Sequence, residues 1–494
     1  MPALMVVGTT SHAGKSVLTA VLCRLLHRRG VKVTPFKGQN MALNAYVTRD
    51  GLEMGHAQAV QAWAAGLEPH VDMNPILLKP QGNMTSQVVL QGQAVGTLHA
   101  AQYYQDFFDR GWQAIVSSLA RLQDRFDWIV CEGAGSPAEI NLKHRDLTNM
   151  RVAKHLQAAT VLVADIERGG VFAHLVGTLD LLDPEERALI RGLVINKFRG
   201  DISLLASGIT WLEERTGIPV LGVIPWLTLP LPAEDSLSLL DRPSRHAQAD
   251  VTVVVIKVPR IANFTDFDPL EAEPTVNLRF MTLDQPLGQP DAVILPGCKT
   301  TLADLQVLHA SGMAAQLQAY AAQGGTLLGI CGGFQMLGQT VSDLEGVEGE
   351  SAEVSGLGLL PVFTHMSATK VTRQRQVFTQ PLDLWGGAVL PIQGYEIHQG
   401  QSTVLNADTP ALFTDPSLGI ASSTHLILGT YLHDLFHNGA WRRHWLNRLR
   451  IPKGLPPLST DIPDYAVQRE EYLDIVTDAI ALHLDLTPLL GELA

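Results

Sequence analysis

The chain has 494 residues, 49 of them acidic and 36 basic, for a formal charge of −13, and 46% are hydrophobic. No cluster of Lys and Arg breaks that acidic balance, which argues against a nucleic-acid or anionic-membrane partner and for a small organic substrate. At roughly 150 residues per domain the length predicts two to three domains, and apolar stretches such as "TVLVA" and "VTVVVI" fall far short of the ~20 residues of a membrane span, reading instead as buried parallel strands.

The first element is a strand over the apolar run Ala3-Leu4-Met5-Val6-Val7, entered at once, with no room for a signal peptide. Cys23, Cys131, Cys298 and Cys331 show no paired spacing, so a reducing cytoplasm is the expected compartment. The strand runs into "GTTSHAGKS", Gly8 to Ser16, and then into the helical run "VLTAVLCRLLHRRG". A strand that turns through Gly14 into a helix leaves the first N–H groups of that helix aimed at one spot, where the helix dipole also favours an anion. Lys15 can reach the phosphates of a nucleotide there, and the Ser16 hydroxyl can ligate Mg²⁺. Five residues separate Gly8 from Gly14 where the standard phosphate loop has four; the standard count starts at Thr9. ATP or a relative is the expected ligand.

Apolar runs near 31–36, 127–131, 159–164, 190–196 and 218–224 then alternate with helical stretches, the pattern of βαβ units around a parallel sheet. The expected class is α/β, with an ATP-dependent domain over 1–235. "LPAEDSLSLLDRPSRHAQAD" is rich in Pro, Ser and charge and predicts a linker at 236–250. A second α/β domain is expected over 251–445, with strands in "VTVVVIKV", "DAVILPG", "GTLLGIC" and "LGTYLH". A helical extension over 446–494, apolar at helical spacing in "YAVQREEYLDIVTDAIALHLDL", is expected to pack on that second domain.

In "LLGICGGFQMLG" Cys331 sits in a G-x-C-x-G pattern between a strand and a helix, the nucleophile-elbow arrangement with Cys in place of Ser. The flanking glycines permit a strained backbone, and the helix N-terminus favours a thiolate. Such a nucleophile needs a base and an oxyanion hole. His433 in "GTYLHDLF" is the expected base, with His398 and His437 as weaker rivals; the Gly297 turn in "LPGCKTT" and the Gly332 N–H are the expected oxyanion donors.

These residues resemble the class I glutamine amidotransferases, over about 251–445, in which the Cys forms a γ-glutamyl thioester and releases ammonia. In most of that class a Glu two residues after the His orients it; here that position is Leu435. This resembles the cobyrinic and cobyric acid synthase branch and implies a Cys–His pair. The first half resembles the dethiobiotin synthetase-like ATP enzymes, which share the five-residue loop spacing and activate carboxylates as acyl phosphates. "FKGQNMALNAYVTRDGLEMGHAQAVQA", "NPILLKPQGNMTSQVVLQG", "CEGAGSPAEINLKHRDLTNM", "DIERGGVFA", "NKFRGD" and "GYEIHQG" look like the cobyric acid synthase family, across nearly the whole chain.

The resemblance implies a flavodoxin-like second domain, ATP and Mg²⁺ as cofactors, and glutamine and a corrinoid as substrates, amidated at the b, d, e and g carboxylates of adenosylcobyrinic acid a,c-diamide. Under it Lys15 and Lys37 neutralise phosphate charge, Ser16, Glu132 and Glu53 hold Mg²⁺, with Asp50 a lesser choice, and Asn196 and Lys197 bind the nucleotide, Asn196 at a purine edge. Gln39, Asn40, Asn44, Asp146 and Asn149 read the corrinoid's carboxylates and amides. Two alternatives stay open: cobyrinic acid a,c-diamide synthase, built on the same plan, and a regulatory phosphate-loop switch ATPase whose second domain only binds.

Overall fold

Strand β1 (Ala3–Gly8) is buried along its whole length. Leu4 and Val6 join one apolar cluster and Ala3, Met5 and Val7 another, so the strand is covered on both faces, as its unbroken apolar run requires. The computed structural model describes residues 1–82, 84–99, 103, 107–227, 244–349 and 351–491; residues 228–243, which hold the end of the expected first domain and most of the expected linker, lie outside the described residues.

After β1 come α1 (Lys15–Arg28), β2 (Val33–Phe36), β3 (Gln39–Met41), β4 (Ala45–Val47), β5 (Glu53–Gly55), α2 (His56–Ala64), β6 (Ile76–Gly82), β7 (Thr85–Leu90), β8 (Gln93–His99), β9 (Trp128–Glu132), β10 (Ala159–Asp165), β11 (Ile190–Phe198) and β12 (Val220–Pro225). The main sheet has the order β12-β11-β10-β1-β9-β2 and is parallel throughout. Leu18, Val21, Leu22 and Leu26 of α1 cover one face, and Ile115, Leu119 and Leu122 of the helix Phe108–Gln123 cover the other. Between β2 and β9 the chain builds a small sheet, β3-β6-β7-β8, and the pair β4-β5, none of which the apolar pattern foretold.

The second domain has β13 (Val251–Ile256), β14 (Val276–Met281), β15 (Ala292–Leu295), β16 (Thr326–Ile330), β17 (Thr340–Asp343), β18 (Ala352–Ser355), β19 (Val362–Phe378), β20 (Pro391–Val404), β21 (Gly419–Ala421) and β22 (Ile427–Thr430). Its six-stranded sheet, β14-β13-β15-β16-β22-β21, is parallel except for β21. Strands β17 to β20 form a separate four-stranded sheet.

The domains meet in a buried seam. Ala45, Val47, Leu77 and Val89 of the first domain pack with Tyr395 and Ile397 of the second. Hydrogen bonds cross it from Tyr395 Oη to the Ala45 carbonyl at 3.1 Å and from Gln374 to the Val47 carbonyl.

The tail meets the sequence expectation only at its start. The helix Tyr465–Ala481 sets Tyr465 against His437 of the second domain, with ring centroids 5.0 Å apart, and Asp464 before it accepts from the Gly439 N–H at 2.8 Å, but Leu473, Val476 and Ile480 enter the first domain's cluster under α1. Ion pairs flank this contact: Arg24 pairs with Asp474 at 2.7 Å and Glu470 at 2.9 Å, and Arg28 with Asp478 at 2.5 Å. Further on, the Asp485 N–H donates to the Leu221 carbonyl at 2.7 Å beside β12. Helical spacing shows that a helix needs an apolar partner without saying which one. Among the described residues no helix is long and apolar enough to cross a membrane, and the four cysteines are unbridged.

Candidate functional site

The register of the first sheet places Val6 beside Glu132 and Phe36 beside Cys131, so the ends of β1, β2 and β9 bring the phosphate loop, Lys37 and Glu132 to one edge. Ligands collect at that carboxyl edge in open α/β sheets. Gly14 caps α1 at a φ of 102°. A Cβ there would lie 2.1 Å from Asn196 Nδ2, so only glycine fits. The first turn of α1 holds no acidic residue and its cap makes no side-chain hydrogen bond, which leaves the helix N-terminus suited to phosphate. Lys15 Nζ donates to the carbonyls of Thr10 at 2.9 Å and Gly135 at 3.2 Å.

Glu132 is completely buried. One of its oxygens accepts from Ser16 Oγ at 2.7 Å and from Lys37 Nζ at 2.7 Å; the other accepts from Gln61 Nε2 at 2.5 Å. Burial pushes its carboxyl upward, but the Lys37 charge and the three hydrogen bonds outweigh burial and hold it below the ordinary range. A hydroxyl and a carboxylate on neighbouring elements, with the Gln61 Oε1 buried and lacking a partner, are hard oxygen donors that fit Mg²⁺. Among the described residues no group of three His, Cys, Asp or Glu forms a metal cluster, and Mg²⁺ commonly takes only one or two carboxylates besides phosphates and water. Sequence reasoning missed Gln61; its signal is the repeat of Gln at 58 and 61 on one helix.

Several expected residues lie elsewhere or act through other groups. Glu53 is not brought to Ser16 and Glu132: its buried carboxylate pairs with Lys79 at 2.8 Å and with Lys370 across the seam, and those charges hold it at about 2 against burial, which acts to raise it. Asn196 also braces the phosphate loop: its Nδ2 donates to the Ala13 carbonyl at 2.8 Å and its Oδ1 accepts from the Lys197 N–H. Lys197 pairs with Asp165 at 2.8 Å. Thr9 is held by its N–H to the Val163 carbonyl at 2.9 Å.

A cavity of about 410 Å³ opens beside the phosphate loop, lined by Lys15, Lys37, Gln39, Asn40, Asp146 and Asn149. Its polar walls are themselves anchored: Asn40 donates to Gln58 at 3.0 Å, Gln39 accepts from Tyr103, Asp146 caps the N–H groups of Thr148, Asn149 and Arg151, and Asn149 bonds both backbone atoms of Ala134. Asn44 is not among the lining residues. It is buried in the seam, where its Oδ1 accepts from the Phe264 N–H at 3.0 Å.

The second centre forms at the ends of β13, β15, β16 and β22. Cys331 follows β16 with φ 51° and ψ −109°, a strained conformation for a residue with a Cβ and the one expected at a nucleophile elbow. Gly332 begins the next helix, and Gly297 lines the same pocket as Cys331 and His433. A Cβ on Gly297 would come within 3.0 Å of the His433 ring and one on Gly332 within 2.5 Å of Cys298 Sγ, so a side chain at either position crowds the groups around Cys331.

His433 meets the Cys331 side chain, while Nδ1 lies 2.7 Å from Asp266 Oδ2. Of the rivals, His398 pairs with Glu396 at 3.1 Å and His437 with Asp434 at 3.4 Å. Asp266 corrects the expected Cys–His pair: a third member exists, supplied from the turn after β13, while Leu435 is a core residue. Burial acts to depress the His433 pKa, but the Asp266 charge, its hydrogen bond and Cys331 raise it to about 10. The one available signal for Asp266 was its place after a strand whose carboxyl end faces the same edge as Gly297 and Cys331. In this geometry the imidazole can take the thiol proton and return it to a departing amine, with Asp266 fixing the ring.

Asp266→Asn tests that role. Glutamine hydrolysis is expected to fall by about two to four orders of magnitude, the range for an orienting carboxylate. With the Asp266 charge gone, while burial still acts to depress the imidazole and Cys331 still acts to raise it, the limb of the pH profile that reports loss of the imidazolium proton moves to lower pH. An unchanged rate and profile overturn the role.

A phosphate-loop α/β domain joined to a Cys–His–Asp amidotransferase domain defines a glutamine-hydrolysing amidoligase. Residues 4–235 match the model of the CobQ/CobB/MinD/ParA nucleotide binding domain and residues 252–441 that of the CobB/CobQ-like glutamine amidotransferase domain. The chain is 68% identical to the cobyric acid synthase of Acaryochloris marina over 100% of both chains, and 62% identical to that of Synechocystis sp. over 100% of this chain and 99% of the relative. It belongs to the cobyric acid synthase family.

Proposed function

We propose that the chain amidates the b, d, e and g carboxylates of adenosylcobyrinic acid a,c-diamide, one ATP and one glutamine per step, to give cobyric acid. The observation that carries this reading is the presence in one chain of a phosphate centre beside a 410 Å³ polar cavity and, across a buried seam, a Cys331–His433–Asp266 centre. The full-length likeness to relatives named cobyric acid synthase supports the choice of product.

Cys331 attacks the glutamine side-chain amide, His433 passes the thiol proton to the leaving ammonia, and the Gly297 turn and the Gly332 N–H stabilise the oxyanion. In the first domain the substrate carboxylate attacks the terminal phosphate of ATP to form an acyl phosphate with release of ADP, and ammonia then attacks the acyl carbon and displaces phosphate to leave the amide. Lys15 and Lys37 offset the phosphate charge, and Gly8, Thr9, Gly14, Asn196 and Lys197 shape or brace the loop that holds it. Ser16 and Glu132 would hold Mg²⁺, which supplies further charge neutralisation when bound. Gln39, Asn40, Asp146 and Asn149 form the polar wall that faces the corrinoid. Four unbridged cysteines suit a reducing cytoplasm.

Mass spectrometry of the product tests the reading. With the a,c-diamide, glutamine, ATP and Mg²⁺, amides are expected at b, d, e and g while the f propionate stays free. An enzyme that accepts cobyrinic acid, stops at the a,c-diamide and ignores that diamide overturns it in favour of the other synthase.

A further inference from the structure

Three side chains surround the His433 ring: Asp266 at 2.7 Å from Nδ1, Asn263 Nδ2 at 3.4 Å from Nε2, and Tyr395, stacked with ring centroids 5.1 Å apart. Two of them, and the turn that carries the third, are tied to the same two residues of the ATP domain. Asn44 Oδ1 accepts from the Phe264 N–H at 3.0 Å, the Ala45 N–H donates to Asn263 Oδ1 at 3.0 Å, and the Ala45 carbonyl accepts from Tyr395 Oη at 3.1 Å. Asn263 holds a left-handed φ of 51° and starts the short turn that delivers Asp266. Asn44 and Asn263 are 4% and 2% exposed, so water does not replace these bonds when they are lost.

We propose that Asn44, a residue of the ATP domain, is a positioning residue for glutamine hydrolysis, holding the Asn263–Asp266 turn so that Asp266 keeps the His433 ring aimed at Cys331. The inference rests on the reading that Cys331 and His433 hydrolyse glutamine. The strand that carries the clasp begins only a few residues after Gln39 and Asn40, which line the ATP-side cavity. The phosphate and thiol centres are therefore joined by one short stretch of backbone, and the ATP domain contributes to the order of the other domain's catalytic histidine.

The full chain carrying Asn44→Ala is the test. Its kcat for glutamine hydrolysis is expected to drop about tenfold, the scale of a buried hydrogen bond left unmade, with KM for glutamine unchanged because Asn44 does not touch that pocket. Synthesis from free ammonia is expected to run at the normal rate, which also shows that the protein is folded. Asn44→Asp keeps an acceptor for the Phe264 N–H and is expected to recover most of the loss. In an Asp266→Asn background Asn44→Ala is expected to add nothing, since it acts through Asp266. Full hydrolysis in Asn44→Ala, an equal loss in Asn44→Asp, a multiplied loss in the Asp266→Asn background, or a parallel fall in ammonia-dependent synthesis each overturns the proposal. Hydrolysis that survives Cys331→Ala instead removes the reading beneath it.

Discussion

Cys331→Ala is expected to end glutamine-dependent synthesis while synthesis from high concentrations of free ammonia continues. The thiol is the one group in the amidotransferase domain that forms a bond to the substrate, and in triad enzymes loss of the nucleophile alone lowers kcat by on the order of a millionfold. Asp266 and His433 have no purpose without the sulfur they orient and protonate. The ATP centre does not depend on it: Lys15, Ser16, Lys37 and Glu132 are bonded among themselves and to the first domain's own loops. Alanine in place of Cys331 also removes only one sulfur from a residue that is 7% exposed and packed in the core of its domain, so the fold should persist. Comparing amide formation from glutamine and from ammonium chloride in the purified variant measures both halves at once. Glutamine-dependent turnover that survives the substitution sinks the assignment of the nucleophile.

What the sequence displayed and what it hid divide along a physical line. The six strands of the first sheet, the phosphate loop, Gly14 and the elbow at Cys331 were legible because each depends on neighbours in the chain: an apolar run, a glycine where a Cβ has no room, a strand followed by a helix. His433 was legible only after Cys331 had raised the question of a base. Asp266, 167 residues before His433, has only its place after a strand to mark it, a position it shares with many residues. Glu53 looked like a metal ligand beside Gln58, yet its partner Lys370 comes from 317 residues away. A carboxylate in a polar loop reads alike whether it will meet a cation in solution, a metal or a lysine of another domain. The tail was half legible for the same reason: Tyr465 at its start meets His437 of the second domain, while Leu473, Val476 and Ile480 further on enter the first domain's core, a division that no local pattern displays. Asn44 and Ala45 are the fullest case, since the seam they clasp exists only once both domains have folded.

Lys15→Ala is expected to stop synthesis from either nitrogen source and to leave glutamine hydrolysis measurable. Lys15 and Lys37 are the cations facing the phosphate loop, but they are placed differently. Lys37 is bound to the Glu132 carboxylate, whereas Lys15 donates to the Thr10 and Gly135 carbonyls beside the cavity. Lys15 stands in the first turn of α1 and lines the cavity, the place from which a phosphate-loop lysine reaches a transferring phosphoryl group, and contacts of that kind are worth on the order of a thousandfold or more in rate. Ammonia supplied from outside cannot rescue a step that precedes it, so both nitrogen sources fail together, the reverse of the Cys331→Ala pattern. Glutamine hydrolysis survives because Lys15 has no part in the Asn44–Ala45 clasp and does not line the Cys331 pocket. Parallel assays of amide product and glutamate release decide it: synthesis that continues overturns the role of Lys15, and glutamate release that vanishes in a folded protein shows the two centres to be bound more tightly than the seam alone accounts for.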